Sequence, residues 1–215
     1  MTAADHSAFV NCPFDNDYKP LFEALIFTIA SSGYRVRCAL EENNAADIGF
    51  DKLCRLISER GRSVHDLSRI ELDTRSGLPR FNMPFELGLF LGARRFGGRA
   101  QGGKSALVMT SAEYRLPVYL SDTAGSDTSH HGGELIELVR SVRGYLHAKP
   151  DGRPLPGAAR ILDEFRRFKT FRHDYAAALE IAPDELDPFR DYRDYNIVQK
   201  EFLRTLDGGA GHRAR

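Results

Sequence analysis

The chain has 215 residues, of which 42% are hydrophobic and 28% charged, a balance that builds a packed core and excludes bulk disorder. Lys plus Arg and Asp plus Glu number 30 each, so there is no electrostatic case for wrapping nucleic acid or binding an anionic membrane. Cys12, Cys38 and Cys54 are the three cysteines; an odd count without a C-x-x-C pair argues against a disulfide framework or zinc cage and fits a reducing cytosol.

Residues 1–12 (MTAADHSAFVNC) lack a basic segment followed by an apolar one, so no signal peptide is expected. Ala8–Asn11 reads as a short buried strand ending at the turn Cys12-Pro13-Phe14-Asp15. A helix follows over about Tyr18–Ser32, with Leu21, Leu25 and Ile29 at helical spacing and Gly33 as its stop. Its apolar run, Leu21–Ala30, is too short to span a bilayer, and the cytoplasm is the expected location. Tyr34–Leu40 reads as a second strand, Phe50–Glu59 as a helix and Ser63–Leu67 as a third strand. A loop with Gly77-Leu78-Pro79 opens into an apolar helix from Met83 to about Phe96, and Ser105–Thr110 is a fourth strand. The stretch Val118–Thr128 is expected to hold a fifth short strand, and Gly133–His147 is a helix with an apolar stripe of Leu135, Leu138, Val139, Val142 and Leu146.

Strand and helix in alternation imply a parallel sheet covered on both faces. The expected fold is a flavodoxin-like, doubly wound α/β domain of about five strands in the order 2-1-3-4-5. Pro150–Pro156 is a linker, and helices over about Gly157–Phe171 and Asp184–Leu206 follow. The expected division is an α/β domain over 1–149, a helical extension over 150–207 and a disordered tail over 208–215. In a sheet of this order ligands bind at the switch point, beyond the carboxyl ends of strands 1 and 3.

Three segments would rim that crevice: the loop after strand 1, with Asn11, Pro13, Phe14 and Asp15; the loop after strand 3, with Asp66, Ser68, Arg69 and Arg80; and the start of the next helix, with Asn82, Met83 and Glu86. Glu86 is the sole charged residue in Met83–Gly92 (MPFELGLFLG). It is expected in the first helical turn, where the macrodipole would favour its ionised form. A carboxylate in such a setting suits stabilisation of an oxocarbenium-like sugar. The competing reading is that acidic residues favour first turns anyway, and that Pro84 marks that turn. For Asp66, sugar positioning competes with loop capping and pairing to Arg69. Asn11 and Asp15 also have a turn-forming reading. Arg69 and Arg80 would hold phosphates or make surface salt bridges.

Gly98–Ser105 (GRAQGGKS) matches the spacing of a phosphate-binding loop, but such a loop needs a strand before it and a helix after it. Here the order is reversed, so it reads as a flexible basic loop. Asp122, Asp127, His130 and His131 have no rigid metal-ligand spacing and read as a solvated loop. Gly88 and Gly92, one turn apart, read as close packing on the sheet. The aromatic and basic segments beyond residue 157 are interleaved with acids. They read as amphipathic helices docking on the domain or on a second copy, which makes a homo-oligomer the expected state.

The segment Asn82-Met83-Pro84-Phe85-Glu86-Leu87-Gly88, after a strand ending in Asp66, resembles the nucleoside 2-deoxyribosyltransferase-like and TIR-like superfamily. The opening Phe9-Val10-Asn11-Cys12-Pro13-Phe14-Asp15 looks like the first strand and loop of a TIR domain. The resemblance covers about Ala8–Leu146. It implies that Glu86 is catalytic, that Asp66 helps to bind the sugar, and that the chain cleaves the N-glycosidic bond of NAD or a related nucleotide. It also implies a role in bacterial stress or phage-defence signalling. NAD enters as substrate, and no metal or redox cofactor is implied. The alternatives are base exchange of the 2-deoxyribosyltransferase type and a catalytically silent nucleotide-sensing module. The first loop departs from the usual Ser-Tyr-Ser-type TIR sequence, and the helices beyond Pro150 have no counterpart in the family.

Overall fold

The computed structural model describes residues 6–41, 49–59, 61–68, 77–78, 80–111 and 128–210, with side chains as far as residue 206. Contacts divide the chain into a unit Met1–Leu155 and a unit Pro156–Arg215.

The first unit is built on strands β1 (Ser7–Asn11), β2 (Arg35–Cys38), β3 (Arg62–Asp66), β4 (Ser105–Thr110) and β5 (Thr128–His130). All pairings are parallel, in the order β2-β1-β3-β4-β5. The fold is therefore the flavodoxin-like α/β arrangement expected from the alternation of elements. The helices are α1 (Lys19–Ser31), α2 (Gly49–Ser58), α3 (Asn82–Phe96) and α4 (Leu135–Leu146). Helix α1 packs with α4, and α2 with α3, covering the two faces of the sheet. Every residue of β1 is buried, which is why its sequence shows an uninterrupted run instead of alternation. Gly33 ends α1 as expected: its φ of 85° lets the Tyr34 amide reach back to the Ile29 carbonyl, a conformation that a side chain would strain.

Several boundaries shift for identifiable reasons. The second strand stops at Cys38, because Ala39–Glu41 tightens into a 3-10 turn. Helix α4 starts at Leu135, two residues later than expected, because Gly132 and Gly133 both have positive φ. Helix α3 starts at Asn82, with the Phe85 amide already bonded to the Phe81 carbonyl. Glu86 is thus beyond the first turn, not within it. Of the expected fifth-strand stretch, residues 118–127 lie outside the described residues, and β5 begins at its last position, Thr128. The expected linker is partly structured: Ala148 bridges Pro154, and the Lys149 amide bonds the Arg153 carbonyl, so the first unit runs on to Leu155.

The second unit holds α5 (Ala158–Ala178) and α6 (Tyr192–Ala210). Phe168 stacks edge-on to Tyr195 and lies against Phe202, which also meets Phe171. Helix α6 starts eight residues later than expected. The segment before it forms turns, in which Asp187 accepts from the Phe189 amide and Asp191 from the Asp194 amide. Asp191 thereby acts as the helix cap. The expected frayed tail is partly helical, since α6 reaches Ala210; residues 211–215 lie outside the described residues. No helix among the described residues is long and apolar enough to cross a membrane.

Candidate functional site

The carboxyl edge of the sheet carries two buried polar clusters. The first is tied by Asn11, the last residue of β1. Its Nδ2 donates both to the Met83 carbonyl at 2.9 Å and to His65 Nδ1 at 2.9 Å. One side chain thus joins β1 to β3 and to the start of α3. Because Nδ1 of His65 accepts, its ring proton sits on Nε2, which donates to Ser63 Oγ at 2.9 Å. Phe9 and Phe90 meet the same ring edge-on. Burial in this surround pushes the His65 pKa down to about 3, so the ring is neutral.

The second cluster is centred on Asp66, which ends β3 and is fully buried. Its Oδ2 accepts from the Tyr18 hydroxyl at 2.6 Å and from His131 Nε2 at 3.0 Å. Its Oδ1 accepts from the Ser68 amide at 2.9 Å and from the Ser68 hydroxyl. Four donors fill the carboxylate's acceptor positions, the arrangement that makes a buried carboxylate tolerable. Burial, then the negative charge of Asp66, raises the Tyr18 phenol well above its ordinary range, so Tyr18 remains a donor. The Gly133 amide donates to His131 Nδ1 at 3.0 Å. His131 therefore carries its proton on Nε2, between Asp66 and Ser68 Oγ. Serine, histidine and aspartate meet here, yet no hydrolytic triad results. A triad sets serine and aspartate on opposite ring nitrogens, whereas both share Nε2 in this cluster.

Glu86 has a different environment. Its side chain is only partly exposed, and burial raises its pKa to about 7. Among the described residues no hydrogen bond or cation offsets that burial. The helix N-terminus is too far along the chain to hold the carboxylate ionised, so desolvation decides the direction of the shift. Cys12 marks where the acids converge: burial, then Asp66, Cys38, Glu86 and Asp15 in turn, all raise its thiol well above the ordinary range.

The remaining sequence candidates divide by burial. Asn11 and Met83 face inward, Asn11 as the tie described and Met83 in a core cluster with Leu67, Leu87 and Val108. Pro13 and Ser68 are buried, the latter bound to Asp66. Phe14 is half-exposed and stacks edge-on with Phe22. Asp15 accepts from the Tyr18 amide at 3.0 Å and pairs with exposed Arg80 at 2.8 Å. Asn82 is exposed. Arg69 lies outside the described residues, as do Asp122 and Asp127. Among the described candidates, access to a ligand is open at Glu86, Phe14, Asp15, Arg80 and Asn82. Direct sugar contact by Asp66 would require one of its four donors to be exchanged.

Sequence reasoning missed His131. It reads as part of a solvated loop, but it is buried against Asp66 while His130 beside it is exposed. The alternation of a strand end is the signal that separates the two rings. Lys104 also differs from the expected flexible basic loop. It is buried, donates to the Ile57 carbonyl and lies 4.7 Å above the Phe90 ring. No group of three or more metal-ligating side chains occurs among the described residues. No protein-family model matches the chain, and no curated protein matches it.

Proposed function

We propose that the chain is an N-glycosidase that cleaves the base–ribose bond of NAD or a related nucleotide, with Glu86 as the key carboxylate. The observation that carries this reading is the desolvated carboxyl of Glu86, its pKa about 7, close to the carboxyl end of β1. A carboxyl tuned to neutral pH and reachable from solvent is the equipment of acid–base or glycosyl chemistry. The switch point of a 2-1-3-4-5 sheet is where a nucleotide would enter.

In this scheme the C1′–N bond breaks and its electron pair leaves with the base nitrogen. With NAD the leaving nicotinamide becomes neutral. Positive charge then develops on C1′ and the ring oxygen, opposite the ionised fraction of Glu86. Water adds at C1′ and releases its proton to Glu86 or to solvent. Asp66 acts as a positioning residue, fixing Ser68, His131 and Tyr18 at the carboxyl end of β3. Arg80, the exposed member of its pair with Asp15, binds a phosphate in exchange for that partner, and Asn82 contacts a ribose hydroxyl. The family resemblance extends the proposal to bacterial stress or phage-defence signalling.

The test is to incubate the protein, over a wide range of concentrations, with NAD, NADP, ATP and deoxynucleosides, and to follow products by liquid chromatography and mass spectrometry. Release of nicotinamide or another free base with a ribosyl product supports the proposal. Turnover that requires an added free base would establish deoxyribosyl exchange instead. Tight nucleotide binding with no product would establish a silent sensing module.

A further inference from the structure

Helix α3 is apolar on two sides. One side, Met83, Leu87 and Phe90, is buried. Phe85, Gly88, Leu89, Gly92 and Phe96 fall on the other, in a stripe that Phe81 continues at the N-cap, as 3.6 residues per turn requires. Phe81 is 51% exposed, Phe85 52% and Phe96 85%. Phe50 of α2, 50% exposed, extends the stripe by stacking 6.1 Å from Phe85. A groove of about 550 Å³ runs along it, floored by Gly88 and Gly92. A Cβ at either glycine would meet nothing within 4 Å. The glycines therefore do not serve packing on the sheet, as their spacing suggests; they leave a trough facing outward.

We propose that this face docks the same face of a second copy of the chain, the two α3 helices crossing antiparallel about a two-fold axis. The pattern is self-complementary. An axis placed between residues 88 and 89 sets Phe85 opposite Gly92 of the second copy, Leu89 opposite Gly88, and Phe81 opposite Phe96. Large groups meet glycine troughs on both sides at once, which is what an isologous interface demands. Arg95, exposed, borders the stripe beside Gly88, and no acidic side chain lies in it. A phenylalanine offers roughly 150–250 Å², so the exposed parts of Phe50, Phe81, Phe85 and Phe96 present about 500 Å² of apolar surface per protomer. That is more than half of the roughly 800 Å² per partner in a standard interface. The arrangement is independent of the glycosidase reading.

The experiment is size-exclusion chromatography with light scattering on the full chain and on Gly92→Leu and Phe96→Glu, each checked by circular dichroism. Gly92→Leu fills the trough from a position where a Cβ meets nothing within 4 Å, and circular dichroism verifies that the fold is kept. The wild type is expected at twice the chain mass and both variants, still folded, at the chain mass. A wild type that stays monomeric at every concentration would overturn the proposal and leave the stripe to a different protein. A dimer that both variants leave intact would overturn it as well.

Discussion

Glu86 and His65 are both displaced by burial, in opposite chemical directions. The folded chain prefers Glu86 protonated, with a pKa of about 7 against an ordinary 4.5. Below about 4.5 the carboxyl is protonated whether folded or not, and ionisation costs nothing. As pH rises from 4.5 to about 7 the cost grows, then levels off. Its size is about 2–3 kcal/mol once the remaining solvent contact is discounted. Glu86→Gln removes the ionisation and keeps the shape. Thermal melts should therefore show the variant more stable than the wild type at pH 8 and equal to it near pH 4.5. A variant no more stable at pH 8 would mean that the carboxylate is compensated after all. His65 titrates the other way. It is neutral when folded, with a pKa of about 3, against 6.5 when unfolded. Its contribution is fully present above 6.5 and drains away as pH falls toward 3, at roughly 1.4 kcal/mol per pH unit. Urea titrations between pH 6.5 and 4 should show that slope, and His65→Gln should flatten it. An unchanged slope would place the acid sensitivity elsewhere.

Among the elements, β5 and α3 show why parts of the site were hidden in the sequence. The site role of His131 depends on Thr110 pairing with His130, which sets the end of β5 beside β4, so that the His131 ring reaches Asp66 at the end of β3. That pairing is non-local, and a His-His pair among polar residues carries no periodic signal of it. His131→Ala would leave Asp66 Oδ2 with Tyr18 as its remaining donor at a fully buried position. Loss of a buried donor costs about 1–3 kcal/mol, so chemical denaturation should show a drop of that order, and undiminished stability would refute the role. Helix α3 was legible as a helix, yet its phase was not. When both sides are apolar, hydrophobic spacing cannot say which one meets the sheet, so the outward-facing glycines were assigned inward. The start of α3 at Asn82 likewise moved Glu86 out of the first turn and left desolvation to set its charge.

For the whole molecule, the order of the sheet was readable because short strands alternate with helices and the first and fourth strands are apolar runs, although β3 (RSVHD) and β5 (TSH) are mostly polar. Parallel strands and right-handed crossovers leave few arrangements for such a chain. The convergence of the β1 loop, Asp66 and Glu86 followed from the order alone: Asp66, Glu86 and Asp15 all act on the Cys12 thiol. What spacing could not reveal was which of those groups are consumed by the fold: Asn11, Met83 and Asp66 are satisfied by internal partners, whereas Glu86 is not satisfied by any described residue. The proposed chemistry therefore rests on one carboxyl. Its most direct test is base release from NAD and the other nucleotides by wild type and by Glu86→Gln, run side by side at pH 7.5 with folding verified. Free base is expected from the wild type, with a loss of at least about 100-fold in the variant, the scale of a positioned acid–base group. Equal rates in the two proteins would contradict it.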